Sequence, residues 1–164
     1  MAGAVAACSP ALDWREVHPD GSAGLGALFP CKPTSHARML KLAGAETRTT
    51  LVACSSGGAT WAVAFADVQD PARVGPALLE LRQAAVANLS AATPQALTGT
   101  VPGATPNDAA GRFAVEGRYP DGRSAQMQVS VFARGTIVIQ ATALGERLQP
   151  QALETFFSAL RLAS

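Results

Sequence analysis

The segment that most constrains the fold is residues 60–68. Trp61, Val63 and Phe65 alternate there with Ala62, Ala64 and Ala66. Successive side chains of a strand point to opposite faces, so this strand has one large apolar face and one small one. The large face belongs in a core, and the small one can lie under a helix. A helix follows at once: Asp70 can cap free amides, and Pro71 is preset for a first turn. Val74, Leu78, Leu81, Ala85 and Leu89 then recur at spacings of three and four, which predicts an amphipathic helix over residues 71–90. Pro76 can shift its start to Gly75.

The remaining segments extend this pattern. Residues 13–17 and 23–29 read as strands around the His18-Pro19-Asp20-Gly21 turn, the second of them irregular and stopped by Pro30. Residues 33–36 read as a loop, and 38–43 and 47–55 as further strands. Residues 93–110 are rich in Thr, Pro, Gly and Ala, and predict a mobile connection with a short strand near 95–99. Residues 111–118, 124–134 and 136–143 alternate as an antiparallel meander. In its middle strand Ala125, Met127, Val129 and Val131 share one face, and Gln126, Gln128, Ser130 and Phe132 the other. Pro150 opens a last helix whose stripe is Leu153, Phe156, Phe157 and Leu160. Strands, helix, strands and helix joined by short links predict an α+β fold, an antiparallel β-sheet packed by two amphipathic helices. The 164 residues suffice for one core, assigned to residues 13–164 behind a linker at 1–12.

Thirteen basic and twelve acidic side chains, with no basic run, argue against nucleic acid, whose binders need a concentrated cationic face. No stretch approaches the roughly 18 to 20 apolar residues that span a bilayer as a helix.

At the start of the chain, Val5-Ala6-Ala7-Cys8 is followed by Ser9-Pro10. This resembles the processing site of a bacterial lipoprotein signal. The resemblance implies that the Cys8 thiol is lipidated, that the peptide before it is removed, and that the chain is tethered to a membrane through Cys8. Ser9 rather than Asp after the cysteine implies sorting to the outer membrane. Only seven residues precede Cys8 and none is basic, so a longer signal upstream is expected. The alternative is an Ala-rich terminus with an incidental cysteine. With Cys8 assigned to lipid, Cys31 and Cys54 remain, and an oxidising periplasm would pair them as a disulfide. Two buried free thiols, or a metal site with His36, are the competing readings, the latter lacking a fourth ligand.

Gly26-Ala27-Leu28-Phe29-Pro30, the strand from Trp61 to Val68, and the closing segment from Leu153 to Leu160 together resemble the PsbP/Mog1-like α+β fold. The resemblance covers most of the chain and implies a binding or assembly factor without a common active site.

Residue chemistry adds little to this. His18 and His36 sit beside turns or prolines and read as exposed loop residues. Ser55-Ser56-Gly57-Gly58 fits a hairpin turn better than a nucleophile loop, because Cys54 stands where the first glycine of G-x-S-x-G would be. Gly24-Leu25-Gly26 lacks the third glycine of a dinucleotide fingerprint. No catalytic, cofactor or metal set is assigned. Arg118, Arg123 and Arg134 on the meander form a candidate patch for an anionic ligand, with solubility as the competing role. Trp14 and Trp61 read as core anchors. The expectation is a non-enzymatic envelope lipoprotein that binds an envelope protein or ligand on the periplasmic side. The alternatives are a hydrolase with an unrecognised site, involving His36 near Cys31, and a structural stabiliser of a larger complex.

Overall fold

The computed structural model describes residues 12–163. Among them the chain runs β1 (Arg15–Val17), β2 (Leu25–Phe29), β3 (Thr34–Leu42), β4 (Ala45–Ser56), β5 (Ala59–Asp67), a 3-10 turn (Pro71–Arg73), α1 (Val74–Ala87), β6 (Ser90–Leu97), β7 (Gly111–Arg118), β8 (Ser124–Arg134), β9 (Ile137–Gly145), α2 (Pro150–Ser158) and β10 (Arg161–Leu162). Seven strands form one antiparallel sheet in the order β3-β4-β5-β9-β8-β7-β6. Helix α1 carries the chain from β5 to the far edge, and the β6 to β9 meander then returns until β9 pairs with β5.

Each face of the sheet has its own core. Trp61, Val63 and Phe65 join Ile139, Phe132 and the α2 side chains Leu153, Phe156 and Phe157 on one face. Strand β2 packs into the same layer, flanked by β1 and β10 in a three-stranded ribbon. Arg112 borders this layer with its guanidinium 4.4 Å above the Phe157 ring and Nη2 donating to Gln128 Oε1 at 2.7 Å. Burial lowers its pKa, opposed by the charge of Glu154. The opposite face lies under α1: Val74, Leu78 and Ala85 meet Ala66, Val138, Val129 and Phe113. The small alanine face of β5 thus does lie toward a helix, as its alternation predicts.

Asp70 Oδ1 accepts from Ala72 N at 2.9 Å and caps the 3-10 turn, and α1 proper begins at Val74. Three local readings are corrected. Residues 33–36 are not a loop, since β3 begins at Thr34, where pairing with Ala53 of β4 overrides the local signals of Pro33 and Ser35. The strand expected near 95–99 starts earlier, at Ser90, directly after α1. The connection from Thr98 to Ala110, expected to be mobile, is pinned: Thr105 N donates to Ala133 O at 2.7 Å, Leu162 N to Pro102 O at 2.8 Å, and Arg134 Nη1 to Gly103 O at 2.9 Å. The short strand β10, which no local pattern announces, is what this connection docks on.

Candidate functional site

Helix α1 packs over β8, β9 and β6, so the α1 face of the sheet is only partly covered toward β3. The gap is a trough of about 150 Å³, lined on the sheet side by Leu40, Leu42, Ala64 and Val138 and on the helix side by Leu81 and Ala84. Leu40 is 38% exposed, and Leu51, on the same face of β4, is 40% exposed. Met39, on the opposite face of β3, is 56% exposed. Large apolar side chains on both faces of one strand form a solvent-facing apolar margin of a kind monomers usually keep small.

Leu42, in the lining of the trough, leads into the β3–β4 turn, where Ala43 and Gly44 both have positive φ, at 49° and 84°. A two-residue turn with both central φ positive matches the twist of a hairpin, but it is one that alanine enters only under strain. The helix side holds it there. Ala43 N donates to Glu80 Oε2 at 2.8 Å, and Arg73 Nε donates to Ala43 O at 3.2 Å. The rest of the Arg73 guanidinium donates to the carbonyls of Val68 at 2.6 Å and Leu42 at 2.7 Å, and to Thr47 Oγ1 at 3.2 Å. One cation therefore ties the edge hairpin to the start of α1.

Three exposed cations stand along the outer margin, Arg38 and Lys41 on β3 and Arg48 on β4, with His36 also exposed on β3 and Glu46 opposite Lys41. Among the described residues none of Arg38, Lys41 and Arg48 joins an ion pair, whereas Arg15, Arg123 and Arg161 each meet a carboxylate.

The residues singled out from sequence fare differently. Cys31 and Cys54 form a disulfide with Cα atoms 5.9 Å apart, linking the segment after β2 to β4. Their thiolates are therefore unavailable to a metal site with His36, which stands exposed on β3. Among the described residues no three His, Cys, Asp or Glu side chains gather as a metal site would need. Trp61 is buried and meets the Trp14 ring edge-on at 6.0 Å, so both serve the core. Gly57 and Gly58 form the β4–β5 turn at φ 63° and 76°.

Arg118, Arg123 and Arg134 do not converge on one patch. Arg118 and Arg123 flank the β7–β8 turn, while Arg134 ends β8 ten residues beyond Ser124, about 33 Å away at the rise of a strand. Each is occupied locally: Arg118 donates to Gly122 O, Arg123 to Asp121 and Glu146, and Arg134 to Gly103 O. Donating to the Asp121 side chain, then to that of Glu146, raises the pKa of Arg123. Cys8 lies outside the described residues. Missed in the sequence were Arg73, Leu40 and Leu51. The run Met39-Leu40-Lys41-Leu42, apolar on both faces of a strand around one lysine, is the signal that could have marked the edge. In comparisons with known proteins, the chain matches no family model and no curated protein.

Proposed function

We propose that this chain is a non-enzymatic bacterial envelope lipoprotein with PsbP/Mog1-like packing. Tethered through a lipidated Cys8 to the outer membrane, it acts as a binding or assembly module on the periplasmic side. The observation that carries the binding role is the apolar trough between α1 and β3, opening beside exposed Leu40 and Leu51. The Cys31–Cys54 bridge suits an oxidising compartment. Cys8 stands four residues before Leu12, a tether of at most about 14 Å, and Leu12 lies beside Gly57. An anchored chain would keep the β4–β5 turn toward the bilayer and present the β3–β4 turn, with its trough, away from it.

Intact-mass analysis of the protein expressed from its full gene in a bacterium and extracted from membranes tests the tether. The expected chain starts at Cys8, carries acyl mass and gains two hydrogens on reduction. An unacylated chain retaining Met1 sinks the lipoprotein reading. For the binding role, Leu40→Asp with Leu51→Asp should keep the fold and the anchor yet abolish the chemical crosslinks that the parent makes in intact cells. Unchanged crosslinks would remove the trough from the proposal.

A further inference from the structure

Among the described residues, backbone hydrogen bonding shows which edge of the sheet is open. Val68 N donates to Thr136 O at 3.0 Å, and these residues oppose each other one step beyond the Asp67–Ile137 pair. Bonded and non-bonded pairs alternate along an antiparallel ladder. Even-numbered residues of β5 therefore bond to β9 and odd-numbered ones to β4. Carried through the registers Val63–Val52 and Leu51–His36, this alternation makes the even residues of β3 bond to β4. Ser35, Ala37, Met39 and Lys41 then turn their N–H and C=O groups outward. The same parity puts the Ala133 carbonyl on the β7 side of β8, where it meets Thr105 N at 2.7 Å.

The two edges of the sheet are built differently. Strand β6 has a register shift between Ser90 and Thr93 and carries Pro94, which by the same alternation stands at an outward position without an N–H. Edges are commonly blunted by such devices. Strand β3 has neither: its nine residues pair with β4 without interruption, and Thr34 through Lys41 are exposed.

We infer that β3 accepts an extended, acidic segment of a partner protein as an eighth strand of the sheet. Open donors and acceptors supply the main-chain bonds of strand addition, and side chains on alternate faces supply selectivity. Leu40 beside the trough and Met39 on the other face select apolar neighbours, while Arg38 and Lys41, in no ion pair among the described residues, select carboxylates. A second copy of the chain fits less well. An antiparallel β3–β3 pair using all nine residues sets Arg38 opposite Arg38, and like charges there repel. A lipid surface fits less well too, since the outward amides would find no partner in it. The inference names the partner of the trough proposed above and rests on that reading, but not on acylation of Cys8.

The test uses the full chain and the labelled peptide Thr-Glu-Val-Val-Glu-Thr-Glu-Thr-Thr, whose antiparallel register sets Glu against Lys41 and Arg38 and Val against Leu40 and Met39. Fluorescence anisotropy is expected to show binding at about 0.1 mM or tighter, weakened about tenfold or more when every Glu is replaced by Lys. Ala37→Pro removes an outward N–H and no β3–β4 bond, so it should keep the circular dichroism spectrum and lose the peptide. Should that variant not fold, Arg38→Glu with Lys41→Glu leaves the backbone intact and should reverse the preference to the Lys peptide. Equal binding of both peptides, no binding of either, or undiminished binding by folded Ala37→Pro would overturn the inference. So would self-association abolished by Ala37→Pro in the absence of peptide, which marks a second copy as the occupant, or adsorption to phosphatidylglycerol vesicles in place of peptide binding. An unacylated chain that binds the peptide would leave this inference standing while removing the lipoprotein.

Discussion

Gly103 sits under the backbone of Leu162 so closely that a Cβ built on it would fall 2.5 Å from the Leu162 carbonyl oxygen. Its φ of 84° independently favours glycine. Gly103→Ala should therefore destabilise the protein by about 2 kcal/mol or more, because strain and collision add. Urea denaturation checks this, and a change within error would mean that the connection does not bear on β10 in solution.

Arg73 and Ala43 predict opposite signs at one turn. Arg73→Ala strips three carbonyls and the buried Thr47 hydroxyl of a donor and should cost about 2 to 3 kcal/mol. Ala43→Asn places at a positive-φ position the residue that such turns prefer, and should stabilise by about 0.5 to 1 kcal/mol. Thermal melts of the two variants separate the contributions.

The disulfide closes a loop across a separation of 23 residues. Replacing Cys31 and Cys54 together by Ser should lower stability by about 3 kcal/mol on the chain-entropy account, and reduction of the parent should reproduce the loss.

Phe156 is fully buried and touches the rings of Phe29, Trp61 and Phe157. Phe156→Ala should cost about 3 to 5 kcal/mol and shift Trp61 fluorescence. Leu79 is 50% exposed on α1, and Leu79→Ala should change stability by no more than about 0.5 kcal/mol.

Two exposed carboxylates set an acid dependence. A hydrogen bond from the Arg161 side chain holds Glu16 below its usual range, and a backbone bond from Arg123 does the same for Asp121. A carboxyl whose pKa is lower in the folded state contributes stability above its unfolded pKa and loses it as pH falls through the folded one. Melting temperature should thus drop below about pH 4, and Glu16→Gln with Asp121→Asn should flatten that drop. Superimposable profiles would contradict it.

Much of the secondary structure was legible locally. The alternation of Trp61, Val63 and Phe65 and the stripe of Val74, Leu78 and Ala85 mark a strand and a helix by side-chain direction alone, and each buries the face it should. The candidate site was far less legible. Arg118 and Arg134 look like neighbours on a meander until the length of β8 separates them. Leu40 and Leu51 look like ordinary strand leucines until the sheet order places them on the margin.

What the sequence determined by itself is local: which segments extend, which coil, and which faces are apolar, because these follow from periods of 2 and 3.6 residues. Tertiary structure alone decided that α1 crosses to the far edge, that β9 pairs with β5, and that β3 is left, among the described residues, as an edge without bulge or proline beside an apolar trough. The physical reason is that strand pairing joins residues far apart in the chain. The same run of side chains, Thr34–Leu42, would read alike at the centre of a sheet or at its rim.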